Sequence, residues 1–339
     1  MSEDLGGRSL IPDPGCSSPL SPPRWGPLAP WHHLRRRARL LADVRAYFSR
    51  TGALEVETPL LALAGSTDPA LASFSLTAHD GRQWWLQTSP EFAMKRLLAA
   101  GSGDIFQICH AFRQEEQSRR HQSEFTLLEW YRVGLDHHGL MDDMVQLLSA
   151  IGFPFPLERH AWSVLSLQYL GFDAALAETH VLADFARARG GVFQEALLDR
   201  TVLLDWIYGC ALLPSLPADR AVFIHDFPCE QAAYARLAPG APWLAERFEL
   251  VVGETELANG FHEVIDAREQ RARHVLENTR RRAAGRPEVP LDEDFLAALE
   301  SGLPPCAGVA LGVERLLMLM LGVDDIRQVV AFDDGSARD

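Results

Sequence analysis

Two stretches of this 339-residue chain concentrate groups able to bind and activate a charged small molecule. FRQEEQSRRHQSEFTLLEWY, residues 112–131, packs four glutamates, three arginines and a histidine among large apolar and aromatic groups. Its flanks read as two strands around a polar loop. Alternation then places Arg113 and Glu115 on one face, and Phe125, Leu127, Glu129 and Tyr131 on one face of the next strand. Such a surface joins an aromatic plane for stacking, cations for phosphates and carboxylates for amines, the requirements of a bound nucleotide. A solvated sheet face with cross-strand Arg/Glu pairs, worth roughly 0.2–1 kcal/mol each, fits the same residues. In ELANGFHEV, residues 256–264, Glu256 and Glu263 would suit a hydrated Mg²⁺ bridging phosphates. In a regular strand, residues that far apart face opposite sides. Serving one metal requires a bulge, and Asn259-Gly260 is the natural place for it. Arg315, just after Gly312 at a helix start, is placed either for a phosphate, with the helix N-terminus behind it, or for a pair with Glu314 or another carboxylate. Neither G-x-x-x-x-G-K-[ST] nor a G-x-G-x-x-G after a strand occurs, so bound ATP would depend on arginine and metal.

The elements that must position these groups follow from pattern. Seven prolines between Pro12 and Pro30 imply a disordered tail over residues 1–30, and the rest, 31–339, reads as a single domain. Leu34, Leu41, Val44, Tyr47 and Phe48 predict an amphipathic helix ending before Gly52, with a solvated arginine face. LEVETPLL at 54–61 reads as a strand that Pro59 ends or holds at an edge. Residues 72–89 read as a hairpin turning at His79-Asp80-Gly81-Arg82. Ser89, Pro90 and Glu91 are expected as N-cap and first two residues of a helix. A mostly helical insertion without recognisable chemistry spans about 138–215. Strands are expected at 221–225, 248–253 and 256–264, then a long Arg-rich helix over 266–284, and finally a strand leading into an apolar helix. Antiparallel-looking strands with helices bunched between them indicate an α+β fold.

Composition, 47% hydrophobic and 23% charged, is that of a soluble globular protein, with no apolar run long enough to span a membrane and no signal peptide. A cytoplasmic location is expected. Five scattered cysteines without a C-x-x-C pair argue against a disulfide framework and a structural zinc site. The pairs His32/His33 and His137/His138 have no second ligand pair at metal spacing, so a dedicated transition-metal site is not expected. The net charge of -14 gives no electrostatic footprint for nucleic acid, so tRNA is not expected as a partner. Lys95 is the only lysine against 31 arginines, either by chance or because a compact ammonium is needed there.

These segments, in order, resemble the three motifs of class II aminoacyl-tRNA synthetases. The helix with GALEVETPLL resembles motif 1, a dimer-interface element; FRQEE…EFTLLEWY resembles motif 2; ALGVERLLML resembles motif 3. TSPEFAMKRLL and ELANGFHEVIDAREQ are similar to the lysyl-tRNA synthetase subgroup, and the likeness covers about residues 31–332. Within the superfamily the chain most resembles the free-standing elongation factor P β-lysyltransferases. No room precedes motif 1 for an anticodon-binding domain, Glu116 stands where synthetases have Gly, and Ala310 replaces the first Gly of a Gly-x-Gly. The resemblance implies an antiparallel sheet flanked by helices, a homodimer, ATP and Mg²⁺, (R)-β-lysine as substrate and elongation factor P as acceptor. It places Arg113, Gln114, Glu115, His121, Gln122, Phe125, Glu256, Leu257, Gly312 and Arg315 around ATP. Ser89, Pro90, Glu91, Glu129, Tyr131, Glu263 and Ala310 surround the amino acid, and Mg²⁺ sits on Glu256 and Glu263. Arg113 and Arg315 carry the catalytic charge, Glu115 reads the adenine amine and Phe125 stacks on the ring. Gln114 for Asn, Gln122-Ser123 for Asn-Pro and Glu314 for Asp depart from the family wording. A truncated synthetase charging tRNA or another acceptor, and an inactive sensor of amino acid or nucleotide, are the alternatives.

Overall fold

The computed structural model describes residues 25–114, 118–194 and 199–333. Helix α1, Trp31–Thr51, buries Leu40, Val44, Tyr47 and Phe48 and stops at Gly52, whose φ of 80° favours glycine. Four short strands follow, β1 (Leu54–Glu55), β2 (Leu61–Ala62), β3 (Ser75–Thr77) and β4 (Gln83–Leu86), then α2 (Glu91–Ala99). The long pair β5 (Ile105–Phe112) and β6 (Glu124–Val133) leads to α3 (His137–Ala150) and β7 (Leu157–Ala161). Helices α4 (Trp162–Leu170), α5 (Thr179–Ala188) and α6 (Arg200–Ile207) precede β8 (Ala221–Pro228), β9 (Leu237–Ala238), β10 (Ala241–Val252) and β11 (Thr255–His262). The chain closes with α7 (Ala267–Ala283), α8 (Glu293–Gly302), β12 (Cys306–Gly312) and α9 (Val313–Leu321).

Nine strands form the main sheet in the order β1-β5-β6-β12-β11-β10-β8-β7, with β9 beside β10; β1–β5 and β7–β8 are parallel and the remaining pairs antiparallel. The expected α+β, antiparallel-dominated architecture is the one found. One face packs Phe106, Trp130, Leu250 and Leu311 under α1, α3 and α9. On the other face Ile105 and Tyr131 meet Met94 and Leu98 of α2 and Phe295 of α8. Alternation along each strand therefore sends every second residue toward α2 and α8. Among the described residues, no helix is long and apolar enough to cross a membrane.

Besides β9 and α8, which the pattern did not predict, the structure departs from the sequence reading in three places. LEVETPLL splits into β1 and β2, which join different sheets, because Pro59 has no N–H to carry one ladder through. Helix α2 starts one residue later than expected, with Ser89 Oγ accepting from Glu91 N at 3.1 Å. The stretch expected to be mostly helical contains β7, an edge strand whose LERHA sequence lacks an apolar alternation because it has one neighbour only. Its first helix, α3, packs into the main core, whereas α4–α6 bury Trp162, Leu182, Leu203 and Ile207 against Val222 and Ile224.

Candidate active site

A cavity of about 1150 Å³ lies against the α2-facing side of the sheet, lined by β6, β11 and β12 and by residues from α2 and α7. Its two ends differ in chemistry.

At the inner end, α2 presents Glu91 and Lys95 on successive turns, the spacing at which helical side chains meet. Lys95 is fully buried, its Nζ 2.6 Å from Glu91 Oε1 and 2.6 Å from Glu263 Oε2. The ammonium also lies 5.3 Å from the ring centre of Tyr234 and 5.9 Å from that of Phe295. Burial alone would lower the pKa of Lys95, but Glu263 and Glu91 outweigh it and hold the group charged. Glu129 on β6 completes a set of three carboxylates around one ammonium. Its Oε1 accepts the Tyr131 hydroxyl at 2.8 Å, while Oε2 is buried with no hydrogen-bond partner. Burial, reinforced by Glu91, pushes Glu129 up to about 8. Gly308, opposite Tyr131 on β12, has to be glycine: a Cβ there would lie 2.2 Å from Tyr131 Cε1 and 2.6 Å from Glu263 Oε1. Ala310 pairs with Glu129 and lines the cavity beside it.

At the outer end, cations gather. The Arg113 guanidinium lies 5.1 Å from the centre of the Phe125 ring. Arg315, in the first turn of α9, donates from Nη1 to the Glu256 carbonyl at 2.8 Å and from its other amino group to His121 Nε2. His121 Nδ1 sits 2.7 Å from Ser118 Oγ, and Arg120 donates to Thr255 Oγ1 at 3.0 Å. Glu314 does not consume Arg315: its carboxylate takes Arg37 at 2.7 Å and the Thr126 amide at 2.9 Å, joining α1, β6 and α9. Gly312 precedes α9 without a side-chain cap, so the helix start carries amides available to an anion.

The sequence profile described as tRNA synthetases class II (D, K and N) matches residues 31–335. The chain belongs to that family. Among its relatives, the elongation factor P–(R)-β-lysine ligase of Vibrio vulnificus (strain YJ016) is 44% identical over 91% of this chain and 97% of its own length. The proteins of that name from Pasteurella multocida (strain Pm70) and Klebsiella pneumoniae (strain 342) are each 42% identical over the same shares.

Of the residues this synthetase family's motifs suggested, Ser89, Pro90, Glu91, Arg113, His121, Gln122, Phe125, Glu129, Tyr131, Glu256, Leu257, Glu263, Ala310, Gly312 and Arg315 line the one cavity. Gln114 does not; its backbone amide bridges to Ala72 at 2.8 Å. Glu115, read as the adenine-amine contact, and Glu116 lie outside the described residues. The expected Glu256–Glu263 metal pair is divided between the two ends of the cavity. Glu263 is 1% exposed and bound to Lys95 at the inner end, whereas Glu256 lies at the outer end, 4.0 Å from Arg315. Glu249 on β10 does not line the cavity; it is bound by Arg247 and by the Tyr208 hydroxyl, and burial, tempered by Arg247 and reinforced by Glu256, pushes it up to about 7. A bulge does separate Glu256 from Glu263, but at Leu257, where β11 carries one residue more than β10 between Ala258 and Glu256. Gly260 serves another purpose, since a Cβ would lie 2.5 Å from the Phe248 ring.

Sequence reasoning missed Gly308 and Tyr234, and left Lys95 undecided. A signal existed for Lys95, which is the only lysine.

Proposed function

We propose that the protein activates (R)-β-lysine with ATP as an aminoacyl adenylate and transfers it to a lysine side chain of elongation factor P, working in the cytoplasm as a homodimer. The observation that carries this reading is the unpartnered Glu129 oxygen in a buried, carboxylate-rich end that opens onto a cationic end. A diamino acid complements both. Its ammonium groups supply the positive charge that Glu91, Glu129 and Glu263 lack, and its carboxylate is directed toward Arg113. The names of the similar ligases support the amino acid and the acceptor. The net charge of -14 favours a protein acceptor over tRNA.

In the first half-reaction a substrate carboxylate oxygen attacks the α-phosphorus, the bond to the bridging oxygen breaks and pyrophosphate leaves. In the second the acceptor amine attacks the acyl carbon and AMP leaves. The protein's contribution is positioning and charge neutralisation. Arg113 meets the charge developing at the α-phosphate, Phe125 stacks on the base and Arg315 holds the γ-phosphate. Glu256, the partly exposed carboxylate beside Arg315, is the side chain that would hold Mg²⁺, which would supply neutralisation of phosphate charge.

ATP/pyrophosphate exchange by the purified protein with Mg²⁺ tests this, comparing (R)-β-lysine, α-lysine and no amino acid. Exchange dependent on β-lysine is expected. Better exchange with α-lysine, or none with either, would overturn the proposal.

A further inference from the structure

Behind the sheet, on the side away from the cavity, four elements converge at the start of α3. His137 is the first residue of that helix and is 4% exposed. One ring nitrogen each of His137 and His262 and one carboxylate oxygen of Glu246 lie within 4.8 Å of one another, and His137, His138 and Asp226 form a second such group. Nε2 of His137 lies 3.0 Å from Asp226 Oδ1, while its Nδ1 is buried without a hydrogen-bond partner. Asp226 Oδ2 in turn meets His225 Nδ1 at 2.8 Å. The backbone is shaped around this group. Between the pairs Ala245–Phe227 and Phe248–His225, β10 sets Glu246 and Arg247 against the single Asp226, and Asp226 has a φ of 58°. A bulge facing a strained non-glycine residue is an outlier of the kind that accompanies functional sites.

We propose that His137, Glu246 and His262 form a binding site for a divalent transition metal of the Zn²⁺ type, with Asp226 orienting His137 through its other nitrogen. Two imidazoles and a carboxylate are a donor set that Zn²⁺ takes, at about 2.0–2.2 Å per bond. Those bonds need ligand atoms roughly 3.4 Å apart, which small side-chain rotations reach from the observed spacing. A carboxylate on the second nitrogen of a ligating histidine fixes the ring and its tautomer. Two contacts compete for Glu246 Oε2: His262 Nδ1 at 2.6 Å and Arg236 Nε at 3.2 Å. The site is separate from the cavity, because Glu246 and His262 point away from the face that Arg247 and Glu263 present to it. A metal there ties α3, β10 and β11 together directly behind the amine-binding end.

The test uses the full chain, without a histidine tag and freed of metal by chelation, titrated with Co²⁺ and followed by visible absorption, with Zn²⁺ as competitor. One Co²⁺ per chain, displaced by Zn²⁺, and a melting temperature raised by Zn²⁺ are expected. His137→Gln weakens binding by more than about 100-fold and Asp226→Asn by about 10–100-fold. Arg236→Gln tightens it, and the exposed His180→Gln leaves it unchanged. Should His137→Gln fail to fold, Glu246→Gln serves in its place. The proposal is overturned if the wild-type chain binds neither metal at micromolar concentration, or if binding survives His137→Gln and His262→Gln.

Discussion

The two ends of the cavity solve opposite problems. The inner end buries charge: Lys95 is fully enclosed, Glu129 and Glu263 are 2% and 1% exposed, and the groups neutralise one another incompletely. At the outer end, charge stays within reach of water. The Arg315 and Glu256 side chains are 23% and 43% exposed and only 4.0 Å apart. Screening makes such an outer pair worth little to stability, which leaves its arginine suited to the phosphate role proposed above. At the inner end the same charges are energetically costly until a partner arrives, which suits that end to the substrate-selecting role proposed above.

Removing the ammonium gives the sharpest break of this contrast. Lys95→Met leaves three carboxylates facing one another and is expected to cost about 3–5 kcal/mol in urea unfolding; unchanged stability would mean that the inner end does not hold buried charge as described. Arg315→Ala, at the other end, should reduce ATP/pyrophosphate exchange roughly 10²–10³-fold with an unaltered melting temperature. A large loss of stability in that variant would erase the distinction between the ends. Glu129→Gln keeps the shape and removes the carboxyl that would ionise against an incoming ammonium. The KM for β-lysine should rise roughly 10–100-fold, with the KM for ATP little changed.

The smallest effect is in pH. With Glu129 at about 8, the free protein holds a proton there that the unfolded chain releases near 4.5. Its contribution to stability is therefore full below about 4.5 and is lost as pH rises through 8. The melting temperature of wild type should fall relative to that of Glu129→Gln across this window. Apparent affinity for β-lysine should rise over the same range as the carboxylate ionises. Parallel pH profiles in the two proteins would remove Glu129 from the binding role.

Local pattern made much of the outer end legible. Alternation placed Phe125 of the outer end on one face with Glu129 and Tyr131 of the inner end, while Arg315, though singled out at a helix start, stayed open between a phosphate and a carboxylate partner. The inner end was less readable because its balance of charge exists only after β11 and α2 meet. Nothing local says that Lys95 will lie 2.6 Å from Glu263. The bulge was anticipated from parity but assigned to Gly260, whose missing side chain instead admits Phe248. Strand β7 escaped notice because an edge strand need not alternate. The histidine cluster was invisible for the plainest reason: His137 and His262 come from segments far apart in the chain and meet only across the sheet.

Gly308 also bears on redesign. Tyr131 and Glu263 already occupy the space a side chain would need there, so this wall of the pocket cannot be moved inward by substitution at that position. Moving it outward is equally impossible, since glycine has nothing left to remove. Anyone wishing to retrofit the enzyme for a longer or shorter diamine has to work at Ala310, one pleat further along the same strand, where side-chain volume can be changed in both directions.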